Sequence, residues 1–179
     1  MGGTHDYVPI QLTRAFRNAQ QNRLFRSWLD MQEAVMAIEF PIDDCPEVRD
    51  IMFTEESLSV AEGKLLSLYE SFDAATDEQN IHTMMRYVYY VGETYRRAFE
   101  GSWAALPKPG GSEDDNIPVI DFPFRETLYK PTEAIQVALA RRTGNELSYL
   151  YPRTSKAYQA WLDEGRPERI YRGTLREDD

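Results

Sequence analysis

From Ile81 to Phe99 apolar side chains return at helical intervals for about five turns. Ile81, Met84, Met85, Val88, Val91, Gly92, Tyr95, Ala98 and Phe99 share one face. A pattern this long predicts a central helix with a buried stripe, and the rest of the chain must supply what covers it. The opposite face carries Arg86, Tyr89, Tyr90, Glu93 and Arg97, with Arg96 and Glu100 nearby, and Glu93 precedes Arg97 in the favourable i, i+4 order. Gly101 reads as the C-terminal stop.

Upstream, Leu12 to about Phe40 lacks Gly and Pro, and its apolar residues Leu12, Phe16, Ala19, Phe25, Trp28, Leu29, Met31, Val35 and Met36 recur at roughly helical spacing. The stripe drifts at Asn18 to Asn22, which predicts an interruption, and Pro41 ends the segment. A second helix follows Thr54-Glu55-Glu56-Ser57, a run of cap residues and early acids, and carries Leu58, Ala61, Leu65, Leu68, Tyr69 and Phe72. Thr76, with Gln79 three residues on, is expected to cap the central helix.

After Gly101 the period shortens. Ser102 to Leu106 and Ile117 to Phe124 read as two strands of a hairpin, with a long connection around the Pro-Gly-Gly-Ser stretch. Pro131 opens another helix that Gly144 closes, Leu147 to Tyr151 is a candidate third strand, and Thr154 or Ser155 is expected to cap a last short helix. With 179 residues and 42% apolar content there is material for one core. The expected organisation is a flexible N-terminus over residues 1–11, one domain over 12–165 and a mobile tail over 166–179. Its class is α+β: a helix-rich first half packed with a small antiparallel β-hairpin or sheet and C-terminal helices.

Charge is distributed unevenly. Glu39 to Glu78 holds twelve Asp and Glu against Arg49 and Lys64, so its excess of ten acids accounts for the whole net charge of −10. Such a balance argues against nucleic acid as a partner, because phosphate contacts need clustered Lys and Arg. Within this segment Pro41 to Glu56 mixes Asp43, Asp44, Glu47, Asp50, Glu55 and Glu56 with Ile42, Val48, Ile51, Met52 and Phe53. Carboxylates that steer encounter, beside apolar anchors, fit a surface for a basic protein.

Motifs of chemistry are sparse. Cys45 is the single cysteine and stands among acids, so no internal disulfide, multi-cysteine metal site or reactive thiolate is expected. His5 lies in the expected flexible end. Glu78 and His82 are spaced to share a helix face, yet no recognised metal, phosphate or dinucleotide pattern occurs, so no metal or cofactor is assigned. No apolar stretch reaches the roughly 20 residues of a membrane span, and no leader is evident, which sets the expected compartment as cytoplasmic.

Tyr90-Val91-Gly92-Glu93 on the central helix, followed by Gly101-Ser102-Trp103 at the turn into a strand, resembles small uncharacterised bacterial proteins, some of them suspected immunity proteins of toxin systems. The resemblance covers roughly Leu58 to Gly144. It implies a helix carrying Gly-Glu, a Gly and a Trp entering a strand, a second strand and a Pro-led helix. Independently of it, Gly92 permits close approach, Trp103 reads as a plug joining the two halves, and Glu93 can pair with Arg97.

The leading expectation is a non-enzymatic protein-binding module, such as an immunity or antitoxin-like inhibitor, that engages a basic partner through Asp43, Asp44, Glu47, Asp50, Met52, Phe53, Glu55 and Glu56. Gly92, Glu93, Arg97, Gly101 and Trp103 form its structural motif. One alternative is an enzyme whose cleft uses Glu93, Arg96, Arg97 and His82. Another is a homo-oligomer subunit with Tyr87, Tyr89 and Tyr90 at the interface.

Overall fold

The computed structural model describes residues 8–172. A 3-10 turn at Ile10–Leu12 leads into helices α1 (Arg14–Ala19) and α2 (Arg23–Ile38). Two tight turns, Phe40–Asp44 and Pro46–Val48, precede α3 (Glu55–Leu68), the single-turn α4 (Phe72–Ala75) and the long α5 (Ile81–Ala98). The hairpin strands β1 (Ser102–Pro107) and β2 (Asn116–Asp121) follow, then α6 (Pro131–Arg141) and α7 (Tyr151–Asp163). The fold is α+β, with a two-stranded antiparallel sheet pairing Ser102 with Asp121 through Pro107 with Asn116.

Local chemistry explains most boundaries. Thr13 and Asn22 accept the amides of Phe16 and Phe25, so the expected interruption becomes two capped helices. Thr54 and Ser57 form a reciprocal capping box on α3. Thr76 departs from its expected role: its hydroxyl donates to the Phe72 carbonyl at 2.9 Å and finishes α4, while Asn80 occupies the start of α5. Glu78 therefore lies outside the helix and shares no helical face with His82.

The stop after α5 also differs. Glu100, not Gly101, takes the left-handed conformation (φ 51), and the Gly101 amide donates to the Arg96 carbonyl at 3.0 Å, closing a Schellman-type turn. Gly101 is needed for a different reason, since a Cβ there would sit 2.5 Å from Ile120 Cγ2 on β2.

The core gathers around α5, which is met by α2, α3, α6 and both strands. Its middle is buried on every side: Tyr89, Tyr90, Glu93 and Thr94 are as enclosed as Val88 and Val91. A helix surrounded in this way has no solvent face, so Tyr89 and Tyr90 belong to the core, not to an opposite surface. Hydroxyl partners permit the burial. Tyr87 donates to the Asp44 carbonyl (3.0 Å), Tyr90 to Ser57 Oγ (2.6 Å) and Tyr95 to the Leu147 carbonyl (3.0 Å).

The segment 147–151 is not a strand. Leu147 is buried with its amide on Glu62 Oε2 at 2.7 Å and its carbonyl on Tyr95, so side chains take the groups a ladder would need. The added rung beside β2 is instead the bridge from Ile120 to Tyr129. Thr154 lies inside α7, which opens at Tyr151 without a side-chain cap. Parts of both expected flexible ends are tied down. Gln11 is buried and donates to the Glu126 carbonyl, and Arg169 bonds the Asp121 carboxylate and the Phe122 and Arg125 carbonyls. His5 and the outermost residues, 1–7 and 173–179, lie outside the described residues.

Candidate partner-binding site

The five motif residues converge around α5. Gly92 is a socket for Trp103: a Cβ there would stand 2.6 Å from Trp103 Cζ2, closer still to Cη2, and 2.9 Å from Pro131 Cγ. The indole stacks on Tyr89 at 5.2 Å and meets Trp28 edge-on, while its Nε1 donates to Glu93 Oε2 at 3.0 Å. Arg96 adds two bonds to the same carboxylate (2.7 and 2.8 Å) and Arg97 a third at 2.7 Å. Burial alone would raise the Glu93 carboxyl, but these donors outweigh it and hold it below its ordinary value.

Every oxygen of Glu93 is thus occupied, and the group remains an anion. A general acid needs the reverse, a raised pKa and a free path to substrate. His82 is exposed at the first turn of α5, eleven residues before Glu93, or roughly 16 Å along the axis at 1.5 Å per residue. The structure brings Glu93, Arg96 and Arg97 together and leaves His82 apart. Tyr87, Tyr89 and Tyr90 likewise offer no surface to a second copy, because all three are buried.

The acidic segment separates into two kinds of carboxylate. Asp43, Glu47, Asp50, Glu55 and Glu56 are exposed, and of these only Glu47 has an ion-pair partner among the described residues, Lys64 at 3.1 Å. Asp44 turns inward instead, where it takes both arms of Arg86 at 2.5 and 2.7 Å. The intended anchors turn inward too: Val48 is fully buried, and Ile51, Met52 and Phe53 pack against the core. Phe53 adopts a left-handed backbone (φ 61), stacks on Tyr90 and receives the Arg97 guanidinium 4.0 Å above its ring. Cys45 is wholly buried, and burial, with Glu47 beside it, pushes its thiol up to about 11.

Apolar surface lies one element earlier. Leu24, Met31 and Ile38 recur every seven residues along α2 and are 62%, 53% and 66% exposed. Seven residues rotate a helix by nearly two full turns, so the three align on one edge. Ile42, 52% exposed in the following turn, extends the row. Phe25, Gln32 and Met36 hold the other side of α2 in the core. Asp30, Glu39 and Asp43, all exposed, border this edge and have no ion-pair partner among the described residues. The sequence signal was an excess of apolar residues in α2: more than one stripe can bury.

No family model, curated protein or solved structure matches the chain. The geometry of its own side chains therefore carries the functional argument.

Proposed function

We propose that the protein is a non-enzymatic binding module that captures a basic, amphipathic helix of a partner protein on the exposed edge of α2. The observation that carries this reading is the row Leu24, Met31, Ile38 and Ile42, uncovered and flanked by Asp30, Glu39 and Asp43, which have no ion-pair partner among the described residues. Helix-in-groove recognition reads anchors at such spacings, and acids at the margin select and steer a cationic partner. The binding surface expected at Asp43 to Glu56 is thereby moved: its outward acids Asp43, Glu47, Asp50, Glu55 and Glu56 supply field, and α2 supplies the anchors. An inhibitor of a basic target, as the bacterial resemblance implies, is one form such a module takes.

A synthetic helical peptide with Leu at the apolar heptad positions and Lys elsewhere is the direct probe. It should bind the full chain with an affinity that falls steeply with salt, and its Leu/Glu counterpart should not. Met31→Glu with Ile38→Glu should weaken capture at least about tenfold, as lost burial of two apolar side chains requires. Equal capture by that variant, or by Asp30→Lys with Glu39→Lys and Asp43→Lys, removes the reading. Self-association abolished by Ile38→Glu would instead assign the edge to a second copy of this chain.

A further inference from the structure

A second surface feature has a local excess of positive charge. A cleft of about 710 Å³ opens between the 125–130 segment, one face of α6 (Glu133, Ala134, Val137, Arg141) and the first turns of α7. Arg125, Lys130, Arg141 and Arg153 line it against Glu133 and Glu146, an excess of two positive charges in a protein of net −10. Lys130 is paired with Glu133 at 2.7 Å and Arg141 with Glu146 at 3.3 Å. Arg125 and Arg153 have no carboxylate among the described residues.

Unmet hydrogen-bonding capacity occurs in the same place. Seven buried side-chain polar atoms lack a partner among the described residues, and three belong to this cleft: Arg125 Nε, the Tyr129 hydroxyl and Thr154 Oγ1. The Tyr129 hydroxyl sits beside that of Tyr95, which donates its own proton to the Leu147 carbonyl and keeps its oxygen lone pairs as acceptors for Tyr129. Thr154 is completely buried in its turn of α7, where a threonine hydroxyl ordinarily bonds back to the preceding turn. The Arg125 guanidinium lies 4.6 Å above the Phe122 ring, and burial, reinforced by Arg153, lowers its pKa. Buried donors without acceptors are uncommon, and the Arg125 guanidinium, part-buried at the cleft wall, is one that an anion in the cleft could satisfy. The uncapped start of α7 adds the positive end of its dipole.

We propose that this cleft binds a small organic phosphate, its phosphoryl oxygens held between Arg125 and Arg153 at the start of α7. The organic body rests on Val137, Tyr149 and Leu150, which are exposed at the rim. A phosphate monoester near neutral pH carries close to two negative charges, matching the two unpaired guanidinium groups. The volume suits a metabolite-sized ligand. The proposal is independent of the α2 edge, and each can fail without the other.

Calorimetric titration of the full chain with phenyl phosphate, inorganic phosphate, benzoate and a nucleoside monophosphate tests it. Phenyl phosphate or the nucleotide should bind more tightly than inorganic phosphate, and benzoate more weakly than phenyl phosphate. Arg125→Gln and Arg153→Gln should each cost about tenfold or more in affinity, the scale of one charge-assisted bond. No binding of any phosphate up to about 10 mM, beyond the weak end of recognisable affinity, overturns the proposal. So does benzoate binding as tightly as phenyl phosphate, or affinity indifferent to Arg125→Gln in a folded variant.

Discussion

Glu93 and Arg125 are each a charged group drawn into the protein, and they are treated in opposite ways. Glu93 receives four hydrogen bonds from Arg96, Arg97 and Trp103 within its own helix and the strand that follows. Arg125 lies over Phe122 with its Nε unpartnered and no carboxylate among the described residues beside it. Where a charge serves the fold, its counter-groups come with it, since stranding a buried charge costs several kcal/mol. Around Arg125 no such group comes from the described residues, and under the phosphate proposal the ligand supplies it. The first region is a finished joint and the second an unfinished one.

The largest effect should come from closing the socket beneath Trp103. Gly92→Ala places a methyl inside the indole and against Pro131, and neither neighbour is a flexible side-chain end. We expect a loss of about 3 kcal/mol in urea unfolding, at the upper end for overpacking. A loss under about 0.5 kcal/mol would mean that Trp103 is not seated there, and the finished joint would dissolve as a description.

Glu93→Gln is next. The amide keeps the shape but loses the charge and turns donors toward donors, so about 2–3 kcal/mol should be lost. Its pH dependence fixes the sign. The folded carboxyl sits below its ordinary value, so its contribution is complete above the unfolded value of about 4.3 and is lost as pH falls through the folded one. The gap between wild type and Glu93→Gln should therefore be constant from neutral pH down to about 5 and narrow below about 4. A gap that widened on acidification would show a raised carboxyl and revive Glu93 as a proton donor.

The two regions also differ in how far sequence exposes them. The joint is local: Gly92, Glu93, Arg96 and Arg97 fall within two turns of α5, and Trp103 follows six residues after Arg97. Periodicity and caps likewise announce α5, the break before α2, the start of α3 and the hairpin. What the pattern hides is long-range. Tyr90 and Tyr87 look like surface residues until Ser57 and the Asp44 carbonyl reach them from more than thirty residues away. Asp44 reads as a free acid until Arg86 takes it, and the tail reads as loose until Arg169 finds Asp121. The cleft is the extreme case, because it is assembled from the 125–130 segment, α6 and α7, and its meaning rests on partners that do not arrive. Absence of a partner has no local signature. The α2 edge is intermediate, since Leu24, Met31 and Ile38 are visible in the sequence but their exposure depends on which other stripe wins the core.

A matched pair of arginines separates the two regions most finely. Arg97 stands 4.0 Å above the Phe53 ring and Arg125 4.6 Å above the Phe122 ring, so each has a comparable aromatic contact. Arg97 also donates to Glu93, whereas Arg125 has nothing equivalent. Arg97→Leu should thus lose the ring contact and one charge-assisted bond, about 1–2 kcal/mol after allowing for the half-exposed side chain. Arg125→Leu loses the ring contact too, but it also relieves the burial that lowers the Arg125 pKa and the repulsion from Arg153. Those terms oppose each other, and replacing a poorly solvated charge by an apolar side chain is commonly neutral or stabilising. The expected change in unfolding free energy lies between zero and a gain of about 1 kcal/mol. A loss from Arg125→Leu as large as that from Arg97→Leu would mean that the guanidinium already has its counter-group within the chain. In that case the cleft is as finished as the joint, and the reason to look for a phosphate disappears.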